Sequence, residues 1–133
     1  MIFIDTSFWA ALTGRTDQRH DEAVLLFKEY GSQSLLTSNH IRGETWTLLR
    51  RRRGHRDSVA FLDLIERSTK LTIVSVSEEL EQEALRWLRR HGEREYSFVD
   101  ATSFALMRSL KIRDALAFDE DFSAAGFTEL RAS

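Results

Sequence analysis

Residues 1–9 read MIFIDTSFW, an apolar run over Ile2–Ile4 that ends on a carboxylate, Asp5, followed at once by the hydroxyls of Thr6 and Ser7. Isoleucine and phenylalanine in alternation fit a short buried strand. A strand that delivers its side chains to a core has no use for an acid at its end. Whatever lies beyond that end must favour one.

Outward from Ser7, the apolar spacing changes repeatedly between helix and strand. Gln18–Tyr30 sets Ala23, Val24 and Phe27 at helical spacing before Gly31, which is expected to be a left-handed stop, and Ser34–Thr37 reads as a buried strand. A helix from Asn39 to Arg53 ends at Gly54, and Arg56–Ser68 repeats the pattern with Val59, Phe61, Leu62 and Ile65. Leu71–Val76 is the clearest strand. Ser77 caps the next helix, with Glu78, Glu79 and Glu81 at its positive end, Arg89, Arg90 and His91 at its negative end, and Gly92 as its stop. Its apolar stripe is Leu80, Ala84, Trp87 and Leu88. Ser97 caps a helix through Leu110, Ala115–Phe118 is a further strand, and Phe127–Leu130 is expected to be an edge strand.

Strands separated by helices imply right-handed crossovers and a mostly parallel sheet covered on both faces. The expected fold is therefore α/β, a three-layer α/β/α sandwich forming a single domain over residues 1–133. Ligands of such sheets bind beyond the carboxyl ends of the strands, where strand order reverses. Asp5 follows Ile2–Ile4, and Asp119 follows Ala115–Phe118, so both acids are expected on that rim.

Two more acids interrupt apolar faces. Ile41, Glu44, Thr45, Leu48 and Leu49 share one helical stripe, so Glu44 stands where a hydrophobe belongs. Its neighbour Gly43 costs a helix about 1 kcal/mol relative to alanine, a cost that makes sense where a backbone or ligand comes close. Asp100 shares a face with Phe104 and Met107. Local roles compete for these residues: Asp5 could cap a helix over Ser7–Leu12, Asp100 could complete a capping box with Ser97, and Asp119 and Asp121 could shape an Asp-Glu-Asp turn. One metal site would account for all four acids together, because two carboxylates about 4 Å apart repel by roughly 4 kcal/mol at an effective dielectric of 20. Hard oxygen ligands suit Mg²⁺ or Mn²⁺, whose usual partner is phosphate. Asp121 is a candidate additional acid.

Composition narrows the chemistry. Apolar residues make up 42% and charged residues 30%, and no stretch approaches the roughly 18 apolar residues of a membrane helix. The absence of cysteine excludes disulfides, thiolate nucleophiles and cysteine metal sites. MIFI is too short for a secretory signal, which gives a cytoplasmic expectation. The glycines form no phosphate loop, there is no Gly-x-Ser-x-Gly elbow, and a phosphatase of the aspartyl type would want a second acid where Ser7 stands. Net charge is −2, yet 16 of the 19 cations are arginine, the residue suited to paired contacts with phosphate or carboxylate. Arg50, Arg51, Arg52 and Arg53 end the Glu44 helix, where they could contact phosphates, an acidic partner, or only the helix dipole.

With these residues in place the sequence resembles a PIN-domain ribonuclease, most specifically a VapC-type toxin of a type II toxin–antitoxin system. The opening IDTS, SNHIRGETWTLL, SFVDATSFALMRSLKI and the closing ALAFDEDF carry the likeness across nearly the whole chain. The resemblance implies a metal-dependent endoribonuclease with the quartet Asp5, Glu44, Asp100 and Asp119, and with Thr6 and Ser7 ordering the site. It also implies a homodimer and a VapB-like antitoxin whose C-terminal segment lies in the active-site groove. A housekeeping RNA-processing nuclease and a catalytically silent protein-binding module are the alternative readings.

Overall fold

The computed structural model describes residues 1–133. Five strands form one sheet: β1 Ile2–Ile4, β2 Leu35–Ser38, β3 Leu71–Val74, β4 Asp114–Leu116 and β5 Thr128–Glu129. Their order is β3-β2-β1-β4-β5, and every pair is parallel. The helices are α1 Thr6–Thr13, α2 His20–Tyr30, α3 Asn39–Arg52, α4 His55–Arg67, α5 Glu78–Arg90, α6 Phe98–Ser109 and α7 Asp121–Ala124. Helix α1 packs on α2, α3 and α4, while α6 packs on α5 and α7, and the sheet lies between the two groups as the middle layer.

The layers close because the central strand is apolar on both faces. Ile2, Phe3 and Ile4 are all buried, and they join a continuous core of 27 apolar residues that includes Trp9, Phe61, Phe104 and Phe122. Phe3 meets Phe122 on one side of the sheet, and Phe8 meets Trp9 and Phe118 next to the end of β1. The chain leaves β1 toward β2 and later returns to pair β4 on the opposite side, so the strand order reverses between β1 and β4.

Several boundaries differ from expectation for identifiable reasons. Strand β4 stops at Leu116 rather than Phe118, since the Phe118 N–H donates to Ser7 Oγ instead of to a neighbouring strand. Strand β3 stops at Val74 rather than Val76, whose N–H is taken by Asn39 Oδ1. Gly31 ends α2 in the right-handed region (φ −65°, ψ −14°), not as a left-handed stop. Gly54 does adopt a positive φ of 97°, and this turns the chain between α3 and α4.

Candidate active site

The reversal between β1 and β4 places two acids side by side. Asp5 leaves β1 with its N–H donating to Leu116 O at 3.0 Å, so the end of the first strand is pinned to the end of the fourth. Ser7 then ties the two chain segments together. Its N–H and Oγ both donate to Asp5 Oδ2, at 3.1 and 2.7 Å, while its Oγ accepts the Phe118 N–H at 2.9 Å. The residue after Phe118 is Asp119, whose Oδ1 accepts the Asp121 N–H at 3.2 Å. Helix α6 brings the third acid: Asp100 completes a capping box with Ser97, donating its N–H to Ser97 Oγ at 2.9 Å and accepting the Ser97 N–H on Oδ2 at 3.0 Å.

The local roles and the shared site thus coexist. Asp5 caps α1 through Oδ2, and Asp100 closes the capping box that Ser97 opens on α6, also through Oδ2. Asp5, Asp100 and Asp119 can each offer one oxygen to a group whose atoms all lie within 4.8 Å of one another. No Lys, Arg or His nitrogen lies within 4.0 Å of the carboxylate oxygens of any of the three.

Burial without a counter-charge sets the electrostatics. Burial and then the Asp5 charge push the Asp100 carboxyl up to about 7, against backbone and side-chain hydrogen bonds from Ser97 that pull the other way. Burial followed by Asp5, Asp121 and Asp100 pushes Asp119 up to about 8. Asp5 is also raised by burial, although the Ser7 hydrogen bonds oppose the rise. Two buried carboxylates, Asp5 and Asp100, with the partly exposed Asp119 beside them, resist joint ionisation unless a cation joins them. An all-oxygen donor set with no protein cation within 4.0 Å of its carboxylates fits a hard divalent ion.

Glu44 lies on α3 in the same cleft, of about 330 Å³, but outside the close trio. Burial raises its pKa first, the Thr6 hydroxyl hydrogen bond lowers it, and Asp5 raises it further. Thr6 Oγ1 in turn accepts from Thr45 Oγ1 at 3.1 Å, so the hydroxyl beside Glu44 is itself oriented. Asp121 stands apart. Its Oδ1 pairs with Arg94 Nε at 2.6 Å, and Arg94 Nη2 donates to the Asp119 carbonyl at 3.2 Å.

The four arginines do not act as one run. Arg52 lines the acid cleft, Arg51 lines the adjoining cavity, and Arg50 is exposed. Arg53, the last of the candidate phosphate contacts, turns inward: its guanidinium lies against Gly14 and donates to Ala10 O at 2.9 Å and Thr13 Oγ1 at 3.2 Å. Arg53→Ala is therefore expected to lower stability by about 1–2 kcal/mol through two lost hydrogen bonds. Alanine at Arg51 and Arg52 should instead reduce the salt dependence of RNA binding, by about one unit of log–log slope each. Equilibrium unfolding and salt titrations separate the two effects, and a shallower slope for Arg53→Ala at unchanged stability would contradict the division.

Sequence reasoning missed the residues that anchor the Asp119 segment from β5. Glu129, with a side chain only 1% exposed, accepts the Glu120 N–H on Oε1 at 3.3 Å and the Ser123 N–H on Oε2 at 3.0 Å. Arg131 pairs with Glu129 Oε1 at 2.8 Å and donates to the Ala117 carbonyl at 2.8 Å. The signal was a lone acid within the short strand FTEL.

A parallel sheet with clustered carboxylates at its switch point defines a nuclease of the PIN type, and the chain belongs to the PIN domain family, whose profile matches residues 2–128. It is similar over nearly its whole length to the 23S rRNA-specific endonuclease VapC20 of Mycobacterium tuberculosis. Identity is 56% over 131 residues, covering 98% of each chain, for the protein from strain CDC 1551 / Oshkosh and for that from strain ATCC 25618 / H37Rv. The crystal structure of Mycobacterium tuberculosis VapC20, described as a sarcin–ricin loop cleaving toxin, matches with a TM-score of 0.94 and 54% identity, over 99% of this chain and 100% of that one.

Proposed function

We propose that this chain is a VapC-type endoribonuclease toxin that cuts the sarcin–ricin loop of 23S rRNA. The observation that carries this reading is the unpaired trio Asp5, Asp100 and Asp119 at the switch point of a chain that aligns end to end with VapC20. Asp5, Asp100 and Asp119 would hold Mg²⁺ or Mn²⁺, with Glu44 completing the quartet. Such an ion, when bound, supplies positive charge that acidifies water and offsets the charge developing on a phosphodiester under attack.

The chain's own groups do the rest. Ser7 orients Asp5 and fixes the peptide that leads to Asp119. Thr6 and Thr45 orient Glu44, and burial and the nearby Asp5 charge hold its carboxyl above its ordinary value until a cation joins the cluster. The amino ends of α1 and α6 face the same edge and favour an anionic substrate there. No helix is long and apolar enough to cross a membrane. The toxin reading carries with it a homodimer in the cytoplasm and a VapB-like antitoxin that covers the acid centre. A silent binding module has less support, since all four acids are present and none of the trio is neutralised by an arginine.

Incubation of the purified protein with ribosomes and with free rRNA, in Mg²⁺, Mn²⁺ or chelator, tests the reading directly. Primer extension is expected to map one cut within the sarcin–ricin loop, absent in chelator. A cut elsewhere would remove the target assignment, and cleavage that survives chelation would remove the metal centre.

A further inference from the structure

Gly43 stands in the middle of α3, where glycine weakens a helix, and no cap or positive φ requires it there. Packing does not require it either, because a Cβ at this position would meet nothing within 4 Å. The bare backbone instead forms part of the wall of a second cavity, of about 570 Å³. This cavity is continuous with the acid cleft, since Glu44 and Leu48 line both.

Its lining has the chemistry of a nucleotide site. Arg51 is exposed and has no carboxylate within 4.0 Å. Asn39 spends its carbonyl on the Val76 N–H, which leaves its amide NH₂ free to donate. Leu48 and Val99 supply apolar surface. His40 is held by Glu81 at 2.9 Å, and its ring meets the exposed ring of Phe98 edge-on at 5.8 Å. A free guanidinium, an amide donor and an apolar wall match the phosphate, base edge and ring face of one nucleotide.

We propose that this cavity is the subsite for the nucleotide adjoining the scissile phosphate, with its base lying on the bare backbone at Gly43 and its phosphate on Arg51. The proposal rests on the reading that the acid centre cleaves RNA. It gives Gly43 a function: the missing side chain keeps the floor of the groove low beside Glu44.

The test compares wild type, Gly43→Ala and Gly43→Val on a synthetic RNA hairpin carrying the sarcin–ricin loop. Cleavage kinetics, Mn²⁺ titration calorimetry and thermal melting are the readouts. Gly43→Val is expected to raise KM about ten-fold, because its methyls would stand where the base lies, with kcat at saturating RNA and Mn²⁺ affinity unchanged. Gly43→Ala should raise KM less and melt about 3 °C higher, because alanine favours the helix. An abasic nucleotide beside the cut should raise KM for wild type and add nothing for Gly43→Val. An unchanged KM for Gly43→Val, with wild type cleaving normally, overturns the subsite alone. A wild type that binds Mn²⁺ but leaves every RNA intact overturns the nuclease reading and the subsite with it.

Discussion

Asp100→Asn, and separately Asp5→Asn, is expected to lower RNA cleavage on the order of a thousand-fold while preserving the fold. Asparagine keeps a side-chain oxygen that can accept the capping hydrogen bond from Ser97 N–H or Ser7 N–H, so α6 and α1 retain their starts. What it removes is one negative charge from a trio of oxygen donors within 4.8 Å. A neutral amide is a poorer ligand for a hard divalent ion. Relief of repulsion among buried acids should also leave the cation-free variants at least as stable as wild type. Thermal melts with and without Mn²⁺ check this, because a ligand that binds only the native state raises its stability in proportion to the logarithm of its concentration. Wild type should gain stability from Mn²⁺ and the variants should not. Cleavage at the wild-type rate by both variants would remove these acids from the centre.

The second large effect is on pH. In the cation-free protein Asp100 titrates at about 7 and Asp119 at about 8, against the usual 3.8 for an unfolded aspartate. Across that interval the native chain keeps protons that the unfolded chain has released, so stability falls as pH rises. The slope is about 1.4 kcal/mol per pH unit for each proton retained. The stabilising share of these groups is fully present below about pH 4, declines through the interval and is gone above about pH 8. A bound divalent ion holds the same carboxylates ionised, so in Mn²⁺ the decline should flatten or reverse. Denaturant unfolding in chelator and in Mn²⁺, between about pH 5 and pH 8, makes the comparison. A flat profile in chelator, or an equal decline in both, would show that the acids are not crowded as described.

The parts of this molecule that follow short-range rules were legible in its sequence. The strand Ile2–Ile4, the Ser77 and Ser97 caps and the Gly54 turn depend only on neighbouring residues, and each stands where its local chemistry puts it. The acids were legible as violations: Glu44 and Asp100 break apolar faces, and Asp5 ends a core strand. Distances were not legible, because periodicity assigns Glu44 to the correct face without saying that Asp5, Asp100 and Asp119 lie closer to one another than to it. Arg53 reads as the last member of a surface run because its partners Ala10 and Thr13 are about 40 residues earlier in the chain. The end of β4 at Leu116 was hidden for a similar reason, since Ser7 Oγ, 111 residues away, takes the N–H that would have extended the strand.

The buried Glu129 side chain never reaches the cleft, yet it grips the Glu120 and Ser123 amides that follow Asp119. In a comprehensive mutational survey scored by host growth, this position should therefore rank with the acids themselves in intolerance, although no inhibitor or substrate fragment could ever touch it. Loss of cleavage by mutation need not alter anything that faces RNA.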